Sequence, residues 1–285
     1  MISEIKSKDN EIIKYVKKLQ NNAFSKEEKR FLLEGKHLVE MGKEHIDYIL
    51  CLPSFKDKNL YNKIYIINEM LMNKLTQNKS ITEVIGVSKY IDEEEVNSSR
   101  VLYLDDVQDP GNVGTILRTA LAFGFKDVIL SKGCAFKYSF KVIQSSQGSI
   151  FKLNVVSGDK DFLFSLQNKG YKLVSTSLDR DSKFLSEVTF NKDTKYVVIL
   201  GNEGQGISKD IQEKSDIKIK IEINDIDSLN VGIAGGIIMY ETRLIKWFEA
   251  IEKIRLKKTY NNSWMLRHYI FTEIQIIENL ISLCF

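Results

Sequence analysis

Apolar and polar positions change their spacing several times along this chain. Tyr196–Leu200 is a bare apolar run, followed at once by Gly201, Asn202, Glu203, Gly204, Gln205 and Gly206. The run predicts a buried strand. Three glycines in six positions predict a loop that reaches positive φ or lets its backbone come close to a ligand. A second strand is expected over 217–223, a polar turn over 224–228, and a helix over 229–240 whose small residues let another backbone lie near. Two strand ends and two loops would then frame one ligand, which is where open α/β sheets bind.

The rest of the pattern supplies a scaffold. Ile12, Ile13, Val16 and Leu19 share a helix face, and Ser25 with Glu28 three residues on predicts a capped second helix. Residues 1–50 look helical, with Gly42 as a C-cap after RFLLEGKHLVEM. Short strands are expected at 46–52, 63–67 and 84–88, with a helical turn at 71–75, which together make a small α/β domain. The acidic stretch 90–100 reads as a linker. Beyond it, strands are expected at 101–104, 128–130, 151–155, 172–175 and 196–200. Helices at 113–123, 140–147 and 161–169 alternate with them. That alternation predicts a parallel sheet covered by helices. Residues 243–258 continue as a helix with Leu244, Trp247, Phe248 and Ile251 on one side, and 251–285 is an extension without assigned chemistry. The expected division is 1–95, 100–250 and 251–285.

Composition narrows this little. The chain has 285 residues, 43% hydrophobic and 28% charged, with a formal net charge of +3. A fold of this size holds itself together without metals or disulfides. Cys51, Cys134 and Cys284 lie far apart with no CxxC spacing, which predicts a reduced, cytoplasmic setting and no zinc site. The first residues carry acids rather than the apolar core of a signal peptide, and no apolar run reaches membrane-spanning length. The mild positive charge permits a nucleic-acid partner. Lys14, Lys17, Lys18, Lys26, Lys29, Arg30 and Lys36 form a basic flank, read either as solvated helix surface or as a phosphate-contacting surface.

Candidate chemistry gathers in three places. In DPGNVGTILRTA, Asn112 stands near a helix N-terminus, where it can cap or hold a ligand hydroxyl. Arg118 follows six residues later, either on the surface or aimed at a phosphate or ribose oxygen. Glu203 stands between glycines, either simply exposed or orienting Arg118. Ser228 and Asn230 flank Leu229 ahead of a helix, as caps or as site residues. The chain has no GxxxxGK[ST], HExxH or GxSxG motif, and its glycines do not fit the dinucleotide spacing. His37, His45 and His268 are scattered.

LDDVQDPGNVGTILRTA, YVVILGNEGQGIS and DSLNVGIAGGIIMYE resemble the three motifs of the SpoU/TrmH-type RNA 2′-O-ribose methyltransferases of the SPOUT superfamily. The likeness covers about 101–247. The N-terminal part, with RFLLEGKHLVE, more weakly resembles a small substrate-binding domain of ribosomal-protein-L30e type. The resemblance implies an α/β domain with a deep trefoil knot, a homodimer formed around the site, and a structured RNA substrate, foremost 23S ribosomal RNA, with transfer RNA as the alternative. It implies S-adenosylmethionine as methyl donor, with Gly201, Ile221 and Leu229 as its binding residues and no metal. It places Arg118, Asn112, Glu203, Ser228 and Asn230 around the reaction centre, with Arg118 foremost. The chain departs from the family at Glu222, where proline is frequent, at Gly232, where serine is, and at Gln144, where arginine is. Three other readings stand beside it: a non-catalytic RNA-binding protein that kept the fold, a base methyltransferase, and, least supported by the motifs, a dehydrogenase.

Overall fold

The computed structural model describes residues 2–177, 179, 181–226 and 228–243. The helix expected over 243–258 and the extension 251–285 lie outside the described residues, except for Arg243.

The first sheet has five strands: β1 (Ile2–Ile5), β2 (Arg30–Glu34), β3 (Ile46–Cys51), β4 (Ile64–Ile67) and β5 (Val84–Lys89), in the order β1-β4-β3-β5-β2. β1, β4 and β3 run parallel, whereas β5 is antiparallel to β3 and to β2. Helices α1 (Glu11–Lys18), α2 (Asn22–Glu28), α3 (Lys36–Met41) and α4 (Glu69–Leu75) accompany it.

Two features correct the reading of 1–50 as helical. Residues 2–5 form a parallel edge strand. Residues 30–34 form a strand buried on both faces, with Phe31 and Leu33 in one core cluster and Leu32 in another. Ser25 is not a cap. It lies within α2 and donates its hydroxyl to the Arg30 carbonyl, while Asn21 caps the helix by accepting from Ala23 and Phe24. Gly42 does follow α3 as its C-cap.

Residues 91–98 carry no regular structure. The second sheet then comprises β6 (Arg100–Leu104), β7 (Asp127–Leu130), β8 (Asn154–Ser157), β9 (Lys172–Thr176), β10 (Lys183–Phe184), β11 (Tyr196–Leu200) and β12 (Ile217–Lys220). All seven are parallel, in the order β10-β12-β9-β11-β6-β7-β8. The strand expected at 151–155 begins only at Asn154, because Ser149–Phe151 is a 3-10 turn. β12 ends at Lys220, short of the expected 223. The helices are α5 (Pro110–Ala122), α6 (Phe140–Ser146), α7 (Lys160–Asn168), α8 (Lys209–Lys214) and α9 (Val231–Thr242).

Central strands β6 and β11 are apolar throughout except for Arg100, and both are buried on both faces, as parallel strands between helix layers must be. One face packs Leu102, Leu104, Val198 and Leu200 under α5 and α9. The other packs Val101, Tyr103, Val197 and Ile199 beneath α7 and α8. The strand order reverses between β6 and β11, which sets the loops after these two strands side by side at the carboxyl edge of the sheet.

α5 is sandwiched closely. A side chain at Gly114 would come within 2.7 Å of the Val142 carbonyl of α6, and one at Gly235 of α9 within 2.7 Å of Leu200. At Gly114 the obstacle is α6 backbone, so only glycine fits there. The start of α9 meets the start of α5 at Gly232, where a side chain would lie 3.4 Å from Thr115 and 3.7 Å from Asn112 Oδ1.

Arg100 fastens the end of α9. It is 2% exposed, and its guanidinium donates to the carbonyls of Thr242 (2.7 Å), Thr194 (2.6 Å), Asn191 (2.9 Å) and Ser99 (3.0 Å). It lies 4.7 Å from the Tyr196 ring centre. Arg100→Met would fill much of the volume but leave these carbonyls without their donors, at about 1–3 kcal/mol for each one that water cannot reach. A loss of about 3 kcal/mol or more is therefore expected in urea unfolding. A midpoint within error of wild type would show that the clamp carries no load.

Candidate functional site

Three segments meet at the carboxyl edge of β6, β11 and β12. The first follows β6. Buried Asp105 accepts from the Ser208 amide (2.8 Å) and hydroxyl (2.7 Å), tying this loop to the one after β11. Asp106 takes up the left-handed region (φ 57°). Its carboxylate accepts from the Ser131 hydroxyl and the Gly133 amide, and its carbonyl accepts from the Asn202 side chain at 2.9 Å. Asp109 caps α5 by accepting from the Asn112 amide (2.9 Å), and Pro110 occupies the first turn, where its missing N–H costs nothing. The cap is therefore Asp109, and the Asn112 side chain is left free for other work.

The second segment is the glycine-rich loop. Asn202 and Gly206 exchange both main-chain hydrogen bonds at 3.0 Å, and the Asn202 side chain accepts from the amides of Gly204 (2.9 Å) and Gln205 (3.0 Å). The loop doubles back so tightly that a Cβ on Gly201 would sit well inside van der Waals distance of the Gly206 and Ile207 backbone. Gly206 itself has φ 71°, a value that suits glycine. This closed turn presents Glu203 to the first segment.

The third segment runs from Ile221 to Asn230. Asn230, not Ser228, caps α9, accepting from the amides of Gly232 (2.9 Å) and Ile233 (3.4 Å). Its side-chain nitrogen donates to Asn112 Oδ1 at 3.0 Å, and Asn112 Nδ2 donates to Glu203 Oε1 at 3.0 Å. The direction of this relay is fixed at both ends. The helix amides claim the Asn230 oxygen, and an ionised Glu203 can only accept. One chain of hydrogen bonds thus joins residues from all three segments.

Glu203 also accepts from the amides of Asp109 (3.2 Å) and Gln108 (3.3 Å). Partial burial opposes its ionisation, but the Asn112 amide and the main-chain donors outweigh it and hold the carboxyl below the usual glutamate range. A lowered value means that the tie is complete above the unfolded-chain value and is lost as pH falls through the folded one. Glu203→Gln should therefore show at neutral pH what wild type shows only in acid: faster hydrogen exchange at Gln108 and Asp109, corrected for intrinsic rates, with the β6 amides unchanged. Equal protection in the two proteins would contradict this role.

The remaining candidates stand outside the relay. Arg118 is exposed on α5 and has no hydrogen bond or ion pair among the described residues; the Glu203 carboxylate is engaged elsewhere and does not orient it in this chain. Ser228 is exposed and makes no hydrogen bond among the described residues. Ile221 and Leu229 are half-buried, and Ile221 packs against the main core. Much of the basic flank is internally engaged. Arg30 pairs with Asp47 and Lys36 with Asp57, Lys14 pairs with Glu11, and Lys26 lies over the Phe136 ring. Gln144 donates to the Glu34 carbonyl of the first sheet. Among the described residues, no group of three or more His, Cys, Asp or Glu is arranged to hold a metal, and no helix is long and apolar enough to cross a membrane.

Sequence reasoning missed Asp105, Asp109, Asn202 and Ser208. Asp109 was open to it, since an aspartate before proline at a helix start is a capping signature. The other three work through the pairing of distant loops, which leaves no local signal.

The profile of the SpoU rRNA Methylase family matches residues 99–240. Over 252 residues the chain is 30% identical to the 23S rRNA (guanosine(2553)-2′-O)-methyltransferase RlmP of Bacillus subtilis, covering 85% of this chain and 100% of that protein. Its fold is similar to that of a putative RNA methyltransferase of the TrmH family from Porphyromonas gingivalis, with a TM-score of 0.73 and 29% identity over 81% of this chain and 96% of that one. It is also similar to an AdoMet-bound rRNA methyltransferase from Sinorhizobium meliloti, with a TM-score of 0.76 and 25% identity over 86% of this chain and 99% of that one.

Proposed function

We propose, from the premise that this chain belongs to the SpoU rRNA methylase family, that it methylates a ribose 2′-hydroxyl of 23S ribosomal RNA. It is an S-adenosylmethionine-dependent RNA 2′-O-methyltransferase. The finer assignment of substrate is supported by the relative with a 23S activity that matches over its full length.

The residues present fit the methyl donor. Among the described residues, the main chain of 221–229 makes no main-chain hydrogen bond, so its amides and carbonyls are available to an adenine edge. Half-buried Ile221 and Leu229 supply apolar cover of the kind ligand pockets use, and the turn closed at Gly201 supplies a third wall. Gly201, Ile221 and Leu229 would hold the cofactor, which supplies a methyl group already activated on sulfonium.

What remains for the protein is positioning. The Asn230–Asn112–Glu203 relay carries this reading, because it locks the starts of α5 and α9 to the glycine-rich loop. Glu203, held ionised by its donors, is a poor proton acceptor and acts by orienting Asn112. Arg118 acts on the substrate, standing exposed on α5 and outside the relay. Its free guanidinium grips a substrate phosphate and stabilises negative charge developing on the 2′-oxygen. Ser228, exposed beside Asn230, contacts the ribose.

The chain leaves β11, runs to β12 beyond β9, and returns to lay α9 against α5 and Leu200. On that course we place the trefoil knot of the SPOUT fold. Exposed Ile233 (58%), Ile237 (38%) and Tyr240 (48%) of α9 form the face on which we place the second copy of a homodimer. The first sheet is assigned to RNA binding.

Mapping 2′-O-methylation across total RNA, with and without this gene, tests the substrate. One lost site in 23S ribosomal RNA is expected. Loss confined to transfer RNA would replace the substrate, and no lost site in any RNA would reject the proposal.

A further inference from the structure

The turn that follows β12 is fastened at a single point. Among the described residues, segment 221–229 is hydrogen-bonded to the rest of the chain only through the Glu222 carboxylate, which accepts from the Ser186 hydroxyl and faces the Ser186 amide. Its apolar side chains Ile221, Ile223 and Leu229 are half-buried, and Ile221 packs against the main core.

The partner side belongs to the sheet edge. β10 pairs with β12 in parallel, Lys183 opposite Ile219 and Phe184 opposite Lys220. Two residues further along the same register, Ser186 stands opposite Glu222. The side-chain bond thus continues the ladder past the point where its main-chain bonds stop. Ser186 sits in a 3-10 turn, Leu185–Glu187, whose first residue is 5% exposed in the main core. Glu187 closes that turn by accepting from the Phe184 amide at 2.9 Å, and the Lys220 ammonium lies 4.7 Å from the Phe184 ring centre. The edge of the sheet therefore reaches out by a side-chain bond to a segment that has no other hydrogen bond to the rest of the chain among the described residues.

We infer that Glu222 is a positioning residue for the methyl-donor site. By holding on to Ser186 it keeps the 221–223 turn, and with it the Ile221 side chain, in the arrangement that receives the adenosyl group. This rests on the assignment of Ile221 to the cofactor. Ordering the turn in advance removes a cost that binding would otherwise bear. Because the pair is exposed, the effect is modest: loss of the tether should weaken S-adenosylmethionine binding by about 3- to 10-fold.

The test combines calorimetry with S-adenosylmethionine and hydrogen exchange on the full-length protein without ligand. Glu222→Ala is expected to raise Kd by that factor and to speed exchange over 221–226, leaving 217–220 unchanged. Ser186→Ala should do the same to a lesser degree, since the main-chain donor survives, and the double variant should be no worse than Glu222→Ala. Glu222→Gln, which keeps an acceptor oxygen, should bind nearly as wild type does. An unaltered Kd in Glu222→Ala overturns the inference, as does unaltered exchange over 221–226, which is read without cofactor. Failure of the wild type to bind S-adenosylmethionine would instead overturn the cofactor assignment, while the exchange comparison would still report on the tether.

Discussion

Arg118→Ala is expected to lower kcat for methyl transfer by about a thousandfold, the scale on which removal of a charge-stabilising donor acts, while S-adenosylmethionine binding stays as in wild type. The expectation rests on where this arginine stands. It is exposed on α5, outside the Asn230–Asn112–Glu203 relay, and without a partner among the described residues. A structural arginine in this protein looks different: Arg100 is buried and spends its guanidinium on four carbonyls. Arg118 therefore has its whole donor fork to offer a phosphate. Arg118→Lys keeps the charge and loses the planar fork, so a loss of about 10- to 100-fold is expected even though charge is conserved. A lysine variant with full rate and unchanged RNA binding would remove the bidentate role.

Gly201→Ala is expected to abolish detectable S-adenosylmethionine uptake, with Kd rising by at least about a hundredfold. No rotamer choice relieves a Cβ at this position, because what it meets is the backbone of Gly206 and Ile207 in the same loop. The loop must open, breaking the paired hydrogen bonds of Asn202 and Gly206 and, with them, the presentation of Glu203. The sheet below should survive, since β11 ends at Leu200, so the far-ultraviolet spectrum should match wild type. An alanine variant that binds the cofactor normally would show that this turn is not a wall of the site.

The two variants also test where Arg118 acts. If it serves the pocket of the partner subunit, co-expression of Arg118→Ala with Gly201→Ala creates heterodimers in which one site has an intact arginine and an intact loop. Random pairing makes half the dimers mixed, with one working site each, and so restores about a quarter of wild-type activity. If Arg118 serves its own chain, mixing two inactive proteins restores nothing.

What the sequence allowed to be read followed the length scale of each interaction. β11 was legible because a parallel central strand is apolar on both faces and this one runs straight into a glycine-rich loop. α5 was legible as a helix, but its first turn was not: it starts at Pro110, three residues ahead of the expected 113, with Asp109 as its cap. RFLLE at 30–34 read as helix because a strand buried on both faces loses its alternation. Its period of two shows only in the sides taken by Phe31 and Leu33 against Leu32. Ser25 misled for a related reason. Asn21 offers the same capping chemistry four residues earlier, and local sequence does not rank the two.

The site divides in the same way. Asn112, Glu203 and Asn230 each stood out beside a glycine or a helix start, and each had an ordinary reading as a cap or an exposed side chain. That they form one relay depends on β11 lying against β6 and on α9 lying close to α5 at Gly232, neither of which spacing in the sequence encodes. Asp105 and Ser208 were hidden for the same reason. The six-residue step from Asn112 to Arg118 left its facing open, and the structure puts Arg118 on the solvent side of the helix.

The three segments at the carboxyl edge of β6, β11 and β12 are proposed to form a site for methyl transfer to ribose. The purified protein, given S-adenosylmethionine labelled in its methyl group and deproteinised ribosomal RNA or ribosomal subunits, tests it most directly. Alkaline hydrolysis cannot cut beside a 2′-O-methylated ribose, so the label is expected in an alkali-stable dinucleotide, from one position, with wild type and not with Arg118→Ala. Label recovered in alkali-released mononucleotides, the mark of a methylated base, or no label in any RNA would contradict it.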